Sequence, residues 1–467
     1  MLVLVLTLVL LGAAGAGAAV LWSKGSLNGL ICDGDCGPSA VATPDGLARG
    51  GLPGPATPRD AGSGQLDPDA IEAAVRHRLV AKALGSHVGF AAVDPADGRV
   101  ISLSGSGTYV PASTTKLLTG LAALTEINPQ ERFYTRVVRG PMAGNSERPN
   151  VLVLVGGGDP YLATKLPRTK VYAVEADLLT LAKRTVASLR EGGTSAIRLD
   201  YESSLFTGPT ASPAWEKSYV GQKIVTPVSA LWADEGVAGG TRVDDPANAA
   251  AQTFARMLER RGIDVTGRPT ESKAPSIAHT IAAVRGATVT QIVEAMIAQS
   301  DNEAAEVLLR QAAIATGRPP TFDGGVATVR DVLRKLDVDT TGLELHDGSG
   351  LSRRNRISPQ TLAEVVAASA RRPQTDSLVS DLAVGGFSGT LARRFGKAES
   401  GRGVVRGKSG TLNGVHSLAG YVTDRSGTPI VFAVMVDRTK SINPFVTEAA
   451  LDRVAAALAD CSCSSPG

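Results

Sequence analysis

The ten residues Pro111–Gly120, PASTTKLLTG, set a hydroxyl and an amine three positions apart, Ser113 and Lys116, at a predicted helix start. Pro111 prepares the helix entry and TKLLTGLAALTEI continues it. Positions i and i+3 share a helical face, so the amine reaches the hydroxyl. A serine is a poor nucleophile until something beside it takes its proton, and this spacing supplies that neighbour. Serines also cap helices and lysines also solubilise them, so the rest of the chain decides what the stretch means.

Outward from Ser113, DPDAIEAAVRHRLVAKAL reads as an amphipathic helix with Ile71, Val75, Leu79 and Leu84 on its apolar side. HVGFAAVDPADGRVISLSG reads as two strands around an Asp-Gly turn. From about Pro129 the texture changes. RFYTRVVRG, NVLVLVGGGDPYL and AIRLDYESSLF read as strands. AVEADLLTLAKRTVASLREGG and PANAAAQTFARMLERRGIDVTG read as helices, the second ended by Gly262. Mixed elements of this kind predict an α/β insertion. Near Thr288 the helical pattern resumes in TVTQIVEAMIAQSDNEAAEVLLRQAAIATG, and there is no internal repeat.

The 467 residues suffice for two or three domains. A formal net charge of +3, from 48 basic and 45 acidic residues, is too small and too evenly spread for a nucleic-acid binder. The first residues, MLVLVLTLVLLGAAGAGAAVLW, read as a secretory signal or, through Trp22, as a membrane anchor, so the rest is expected outside the cytoplasm. Residues 37–66, rich in Gly, Pro and Ala, read as a linker. Cysteines occur only as Cys32, Cys36, Cys461 and Cys463. Export and an even count favour disulfides over a zinc site. A ring from Cys461 to Cys463 would be small, so pairing of Cys32 and Cys36 with Cys461 and Cys463 is expected.

Several sites are excluded by their residues. There is no G-x-S-x-G elbow, and none of the five histidines has HExxH spacing. GRGVVRGKSGT imitates a phosphate loop, but Arg402 replaces a required glycine and strands follow. Three signals remain: STTK (Ser113–Lys116), SDN (Ser300–Asn302) and KSGT (Lys408–Thr411). Ser300 lies 187 residues beyond Ser113, and Lys408 a further 108. SDN alone would serve as a turn between helices, and KSG as a hairpin edge. In this order they form the set S-x-x-K, S-D-N, K-[ST]-G.

With that set the chain resembles the class C low-molecular-mass penicillin-binding proteins, the D-Ala-D-Ala carboxypeptidase/endopeptidase group (peptidase family S13), of actinobacterial type. GGGDPYL, FTGPTASPAW, TPVSALWADEG and DGSGLSRRNRISP add to the likeness, which spans about Asp67 to Asp460. The resemblance implies a multi-domain α/β penicillin-binding-protein/β-lactamase-like fold: an antiparallel sheet flanked by helices, with a helical lobe. Its domains would be a signal or anchor (1–22), a Cys-containing linker (23–66), a penicillin-binding domain (67–127 and 282–460), an inserted α/β domain (128–281) and a Cys-containing tail (461–467).

The resemblance also implies roles. Ser113 attacks the penultimate D-Ala carbonyl and Lys116, kept neutral beside Lys408, is the base. Ser300 passes the proton on, Asn302 binds the substrate backbone, and the backbone N–H groups of Ser113 and Thr411 form the oxyanion hole. Lys408, Ser409, Gly410 and Thr411 hold the terminal carboxylate, with Arg353 at the rim. Asp159 is expected to fix a turn. FTGPTASPAW has no acidic residue, which counts against a grip on an amino-bearing side chain. No cofactor or metal is implied; the partners are peptidoglycan stem peptides and β-lactams. The alternatives are a β-lactamase, for which no deacylating glutamate stands out, and a catalytically weak penicillin-binding sensor or scaffold.

Overall fold

A computed structural model describes residues 65–139, 150–440 and 443–465. Its principal sheet has six strands, all antiparallel, in the order Ala383–Val384, Arg406–Leu412, Val415–Thr423, Pro429–Val436, Val88–Val93, Val100–Ser104. Pro429–Val436 (PIVFAVMV) is buried throughout because both faces of the sheet are covered. Val431, Ala433 and Met435 enter the core under the helical lobe. Ile430, Phe432, Val434 and Val436 enter a second core beneath the helices Pro68–Leu79 and Pro444–Asp460. The period of two in the strand is thus a division between two cores. In the helix Pro68–Leu79, Ile71, Val75 and Leu79 are buried, and Leu84 fills the same core from the following turn.

The span after the Ser113 helix forms a second, mixed sheet. Its strands run Thr270–Glu271, Ala196–Glu202, Asn150–Val155, Arg132–Arg139, His279–Thr288, with Asp264–Val265 also beside Ala196–Glu202. The helices Leu178–Glu191 and Pro246–Glu259 pack on it. Asp177 and Asp245 cap them through Thr180 N and Asn248 N, and Pro246 stands at the first turn of the second.

Three boundaries differ from the sequence expectation. His279–Thr288 pairs with Arg132–Arg139 to its end, so the insertion closes at Thr288 rather than at residue 281. Thr288 then begins the helix Val289–Gln299 through a capping box with Gln291. Nor is the insertion a detached module. Phe206, Trp215, Val225, Val228 and Trp232 share one core with Leu117 and Val293. The described residues accordingly form one compact unit. At the other ends, Gln65–Leu66 pairs with Ser464–Ser465, so the last linker residues and the tail form a small ladder.

That ladder overturns the expected cysteine pairing. Cys461 follows the last helix in extended conformation, and the chain turns back so that Cys463 is buried, its N–H donating to Asp424 Oδ2 at 3.1 Å. The turn brings the sulfurs together, and Cys461 is bonded to Cys463 with Cα atoms 5.2 Å apart. Cys32 and Cys36 lie outside the described residues, as does Met1–Trp22. Among the described residues no helix is long and apolar enough to cross a membrane.

One ion pair ties the segment before the Lys408 strand to the last helix. Arg394 and Asp452 are buried, and the guanidinium grips the carboxylate through Nε at 3.0 Å and Nη2 at 2.6 Å. Removing one partner leaves a buried charge uncompensated. Arg394→Met is therefore expected to cost about 3–5 kcal/mol in denaturant unfolding, while the double replacement Arg394→Met/Asp452→Leu recovers most of it. A single substitution as mild as the double would show that the pair is solvated.

Candidate active site

Ser113 sits in the turn Ala112–Thr114 that leads into the helix Thr115–Glu126. Ala112 holds φ at +49°, a strained left-handed conformation for a residue with a Cβ. The turn is fixed from both sides. Thr114 Oγ1 donates to Pro111 O at 2.7 Å, and Ser417 Oγ, from the adjacent sheet, donates to the same oxygen at 2.6 Å. Gly410 lies against the turn: a Cβ there would stand 2.5 Å from Pro111 O and 3.0 Å from Ser113 N. The Lys408 strand, Arg406–Leu412, can therefore run beside Ser113 only with glycine at this position. Gly350, at φ +86°, meets the turn from the other side, where a Cβ would collide with Ala112 O.

Lys116 is fully buried, and its amine has three neighbours. Nζ lies 3.0 Å from Ser113 Oγ, 2.7 Å from Asn302 Oδ1 and 2.7 Å from Ser349 O. A neutral amine has two N–H donors and one lone pair. The two carbonyl-type oxygens accept the protons, which leaves the lone pair for the serine hydroxyl. Burial lowers the Lys116 pKa to about 8, against the opposing pull of Asp301, Glu306, Asp347 and Glu303. For Lys408 burial is again the larger cause, and the charge of Lys116 lowers it further, well below the ordinary lysine value. The expectation that Lys408 lowers the Lys116 pKa is corrected: burial lowers it, and it brings the amine into the range where a working fraction is neutral near neutral pH.

SDN is both a turn and part of the site. Ser300 ends the helix Val289–Gln299 at φ +59°, and Asp301 caps the helix Asn302–Ala315 by accepting from Ala304 N at 3.0 Å. Between two fixed helix ends, Ser300 Oγ accepts from Lys408 Nζ at 2.8 Å and Asn302 meets Lys116. Lys408 Nζ also donates to Ser409 O at 2.8 Å.

The hydroxyls after Lys408 are placed differently. Successive strand residues alternate faces, so Ser409 and Thr411 point away from the face that Lys408 and Gly410 share. Ser409 Oγ donates to Thr390 Oγ1 at 2.8 Å and Thr411 Oγ1 to Glu448 Oε1 at 3.2 Å. Arg353 Nη2 donates to Asn413 O, in the turn after the Lys408 strand, at 3.0 Å. Asp159 accepts from Tyr161 N at 3.0 Å and so fixes the turn of GGGDPYL.

The buried carboxylates that build the site had no role in the sequence reading. Glu306 accepts from Gly348 N at 3.0 Å and Ser349 N at 2.8 Å, which aims Ser349 O at Lys116. Asp347 accepts from Gly350 N, Ser352 N, Asn355 Nδ2 and Trp215 Nε1. The DGSG stretch marked Asp347, but carboxylates spent on backbone amides leave no spacing to read. Glu235, held at φ +55°, hydrogen-bonds Asp301, and burial followed by Asp301 pushes its carboxyl well above the usual range. Glu235, Asp301 and Glu303 are the one group among the described residues with the geometry to hold a metal ion. Arg242 Nε, 2.7 Å from Glu303 Oε1, supplies the positive charge there.

A hydroxyl facing the free lone pair of a buried amine, at the edge of an antiparallel sheet under a helical lobe, defines a serine acyl-transfer enzyme of the penicillin-binding-protein/β-lactamase-like fold. The model of the D-Ala-D-Ala carboxypeptidase 3 (S13) family matches residues 71–241 and 239–458. The chain belongs to that family, the serine-type D-Ala-D-Ala carboxypeptidases. It is 34% identical over 366 residues to carboxypeptidase DacB of Mycolicibacterium smegmatis, covering 76% of each chain. It is 27% identical over 444 residues to the D-alanyl-D-alanine carboxypeptidase of Actinomadura sp., covering 80% of this chain and 82% of that one. The fold matches penicillin binding protein 4 of Haemophilus influenzae at a TM-score of 0.68 and 21% identity, over 83% of this chain and 98% of that one.

Two predictions follow from the geometry. A base with its pKa at about 8 works only when neutral, so penicillin acylation rises with pH, about tenfold per unit below pH 8, and levels off above it. Stopped-flow labelling from pH 6 to 9 measures this, and a flat profile removes Lys116 as the titrating base. Glu235 is protonated at neutral pH and donates to Asp301, a bond that glutamine can also make. Glu235→Gln should keep the acylation rate of the parent, and Glu235→Ala should lower it. Equal rates for both would show that the bond does not position SDN.

Proposed function

We propose that the protein trims peptidoglycan stem peptides by hydrolysing the terminal D-Ala-D-Ala bond, and that it also cuts D-Ala cross-links between stems. The observation that carries this reading is the Lys116 amine, 3.0 Å from Ser113 Oγ with its protons engaged elsewhere. Ser113 Oγ attacks the penultimate D-Ala carbonyl while Lys116 takes its proton. The backbone N–H groups of Ser113 and Thr411 receive the developing oxyanion. As the amide C–N bond breaks, the proton passes through Ser300, which Lys408 orients, to the departing nitrogen. Water then attacks the acyl-enzyme, Lys116 again serves as base, and Ser113 is released. Penicillin enters at the same serine and stops at the acyl stage. The substrate lies outside the cytoplasmic membrane, in keeping with the apolar N-terminal run, which serves as a cleaved signal or a retained anchor.

The test is mass spectrometry of purified muropeptides after incubation. Loss of one D-Ala from pentapeptides and splitting of cross-linked dimers are separate products, and absence of both overturns the reading. Ser113→Ala should abolish covalent penicillin labelling, and Lys116→Ala should slow it roughly 10²–10⁴-fold. The two residues act as a unit, so the double variant should be little worse than either single one. Multiplicative losses would mean that Lys116 does not act through Ser113.

A further inference from the structure

Beside the Lys408 strand, between the segment 390–398 and the start of the last helix, lies a cleft of about 540 Å³. Three of its cations, Arg393, Lys397 and Arg453, have no acidic partner among the described residues. Against its four cations the lining sets two carboxylates, Glu448 and Asp452. Arg394 is paired with Asp452, and Glu448 accepts from Thr411. Phe445, 72% exposed, forms an apolar edge. The cleft therefore offers surplus positive charge beside one apolar wall.

Its position gives it a use. Thr390 and Glu448 line the cleft, and they are the partners of the Ser409 and Thr411 hydroxyls. The strand that runs past Ser113 thus presents its hydroxyls at the mouth of the cleft. Gly389, next to Thr390, lies against the end of the helix before Ser300, where a Cβ on it would stand 3.0 Å from Ala298 O, so the cleft opens beside the turn that would meet the departing nitrogen and its neighbouring carboxylate. A lone D-Ala ends at that carboxylate. The leaving side of a cross-link continues into a second stem peptide, which carries further carboxylates.

We propose that this cleft binds the acidic second stem of a cross-linked substrate through Arg393, Lys397 and Arg453, and so favours cutting of cross-links over trimming. The proposal rests on the proposed reading of the Ser113 site and assigns the part of the chain that receives the second stem. The charge matches a multiply anionic peptide, and continuity with the Lys408 strand places it on the leaving side. None of the three cations touches Ser113, Lys116, Ser300 or Asn302, so they need not affect trimming.

The experiment compares the full-length parent with Arg393→Ala, Arg453→Ala and the triple variant that adds Lys397→Ala. Substrates are a monomeric pentapeptide stem and a purified D-Ala-cross-linked dimer. The triple variant should lose about tenfold or more in kcat/KM on the dimer, the scale of one or two lost charge-assisted hydrogen bonds. Its trimming of the pentapeptide and its penicillin acylation rate should match the parent. Added salt should depress dimer cutting more than trimming in the parent, and should erase the difference between parent and variant. Arg393→Lys should retain dimer cutting, which separates charge from packing.

Equal losses on both substrates, or none on the dimer, overturn the proposal. So does a parent that trims the pentapeptide but leaves the dimer intact. Loss of binding to intact cell walls with unchanged dimer cutting also overturns it, and would make the cleft a docking site for an anionic wall polymer. A parent that acts on neither substrate marks failure of the Ser113 reading instead.

Discussion

The Lys116 amine is the constraint around which the structure is arranged. Taking an amine out of water is costly unless its donors are met, and here it is met from three directions. Ser113 comes from the turn that opens the same helix, Asn302 from the start of a helix 186 residues away, and Ser349 from a loop 233 residues away. Holding the serine turn and two remote segments within 3.0 Å of one atom leaves little tolerance in the backbone. The glycines at 350 and 410 are consequences. At each, a Cβ would push a neighbouring segment away from the serine turn.

Negative charge is handled by the same logic. Four carboxylates, Asp301, Glu303, Glu306 and Asp347, raise the Lys116 pKa, and burial outweighs them. Each has a structural commitment: Asp301 caps a helix, Glu303 faces Arg242, and Glu306 and Asp347 hold loop amides. A carboxylate satisfied by backbone N–H groups stays fixed, so it cannot collapse onto the amine and pin its proton. The amine is therefore surrounded by charge that positions it without locking it in the protonated form.

The chemistry was legible in the sequence because it depends on short spacings. Ser113 and Lys116 are one helical turn apart, and Ser300–Asn302 is a compact turn between two helices, so their residue types survive as motifs. The strands that follow Lys408 were legible as apolar runs, while their burial on both faces emerges only from the packing of the lobe and the last helix. Less could be read where a side chain serves the backbone of a distant segment. Glu306 looks like any helical glutamate, and nothing near Glu235 announces that its carboxyl meets Asp301 across the fold. The cysteines failed for a related reason. Ring size argued against a local bond, but the reversal of the chain after Asp460 was set by pairing with Gln65–Leu66, which the sequence does not display.

The insertion shows how far such remote service extends. Its strands and helices have a core of their own, yet the segment 206–236 is spent on the site. Trp215 donates its indole N–H to Asp347 at 2.8 Å, Thr226 N donates to Glu303 at 3.1 Å, and Glu235 meets Asp301. These are three of the four carboxylates that surround Lys116. Trp215 and Trp232 also fill the core beneath the lobe, so this part of the insertion helps to keep water from the amine. Burial is what lowers the Lys116 pKa, and the insertion contributes to that burial. A segment that reads as a separate α/β module is thus part of what makes the lysine a base.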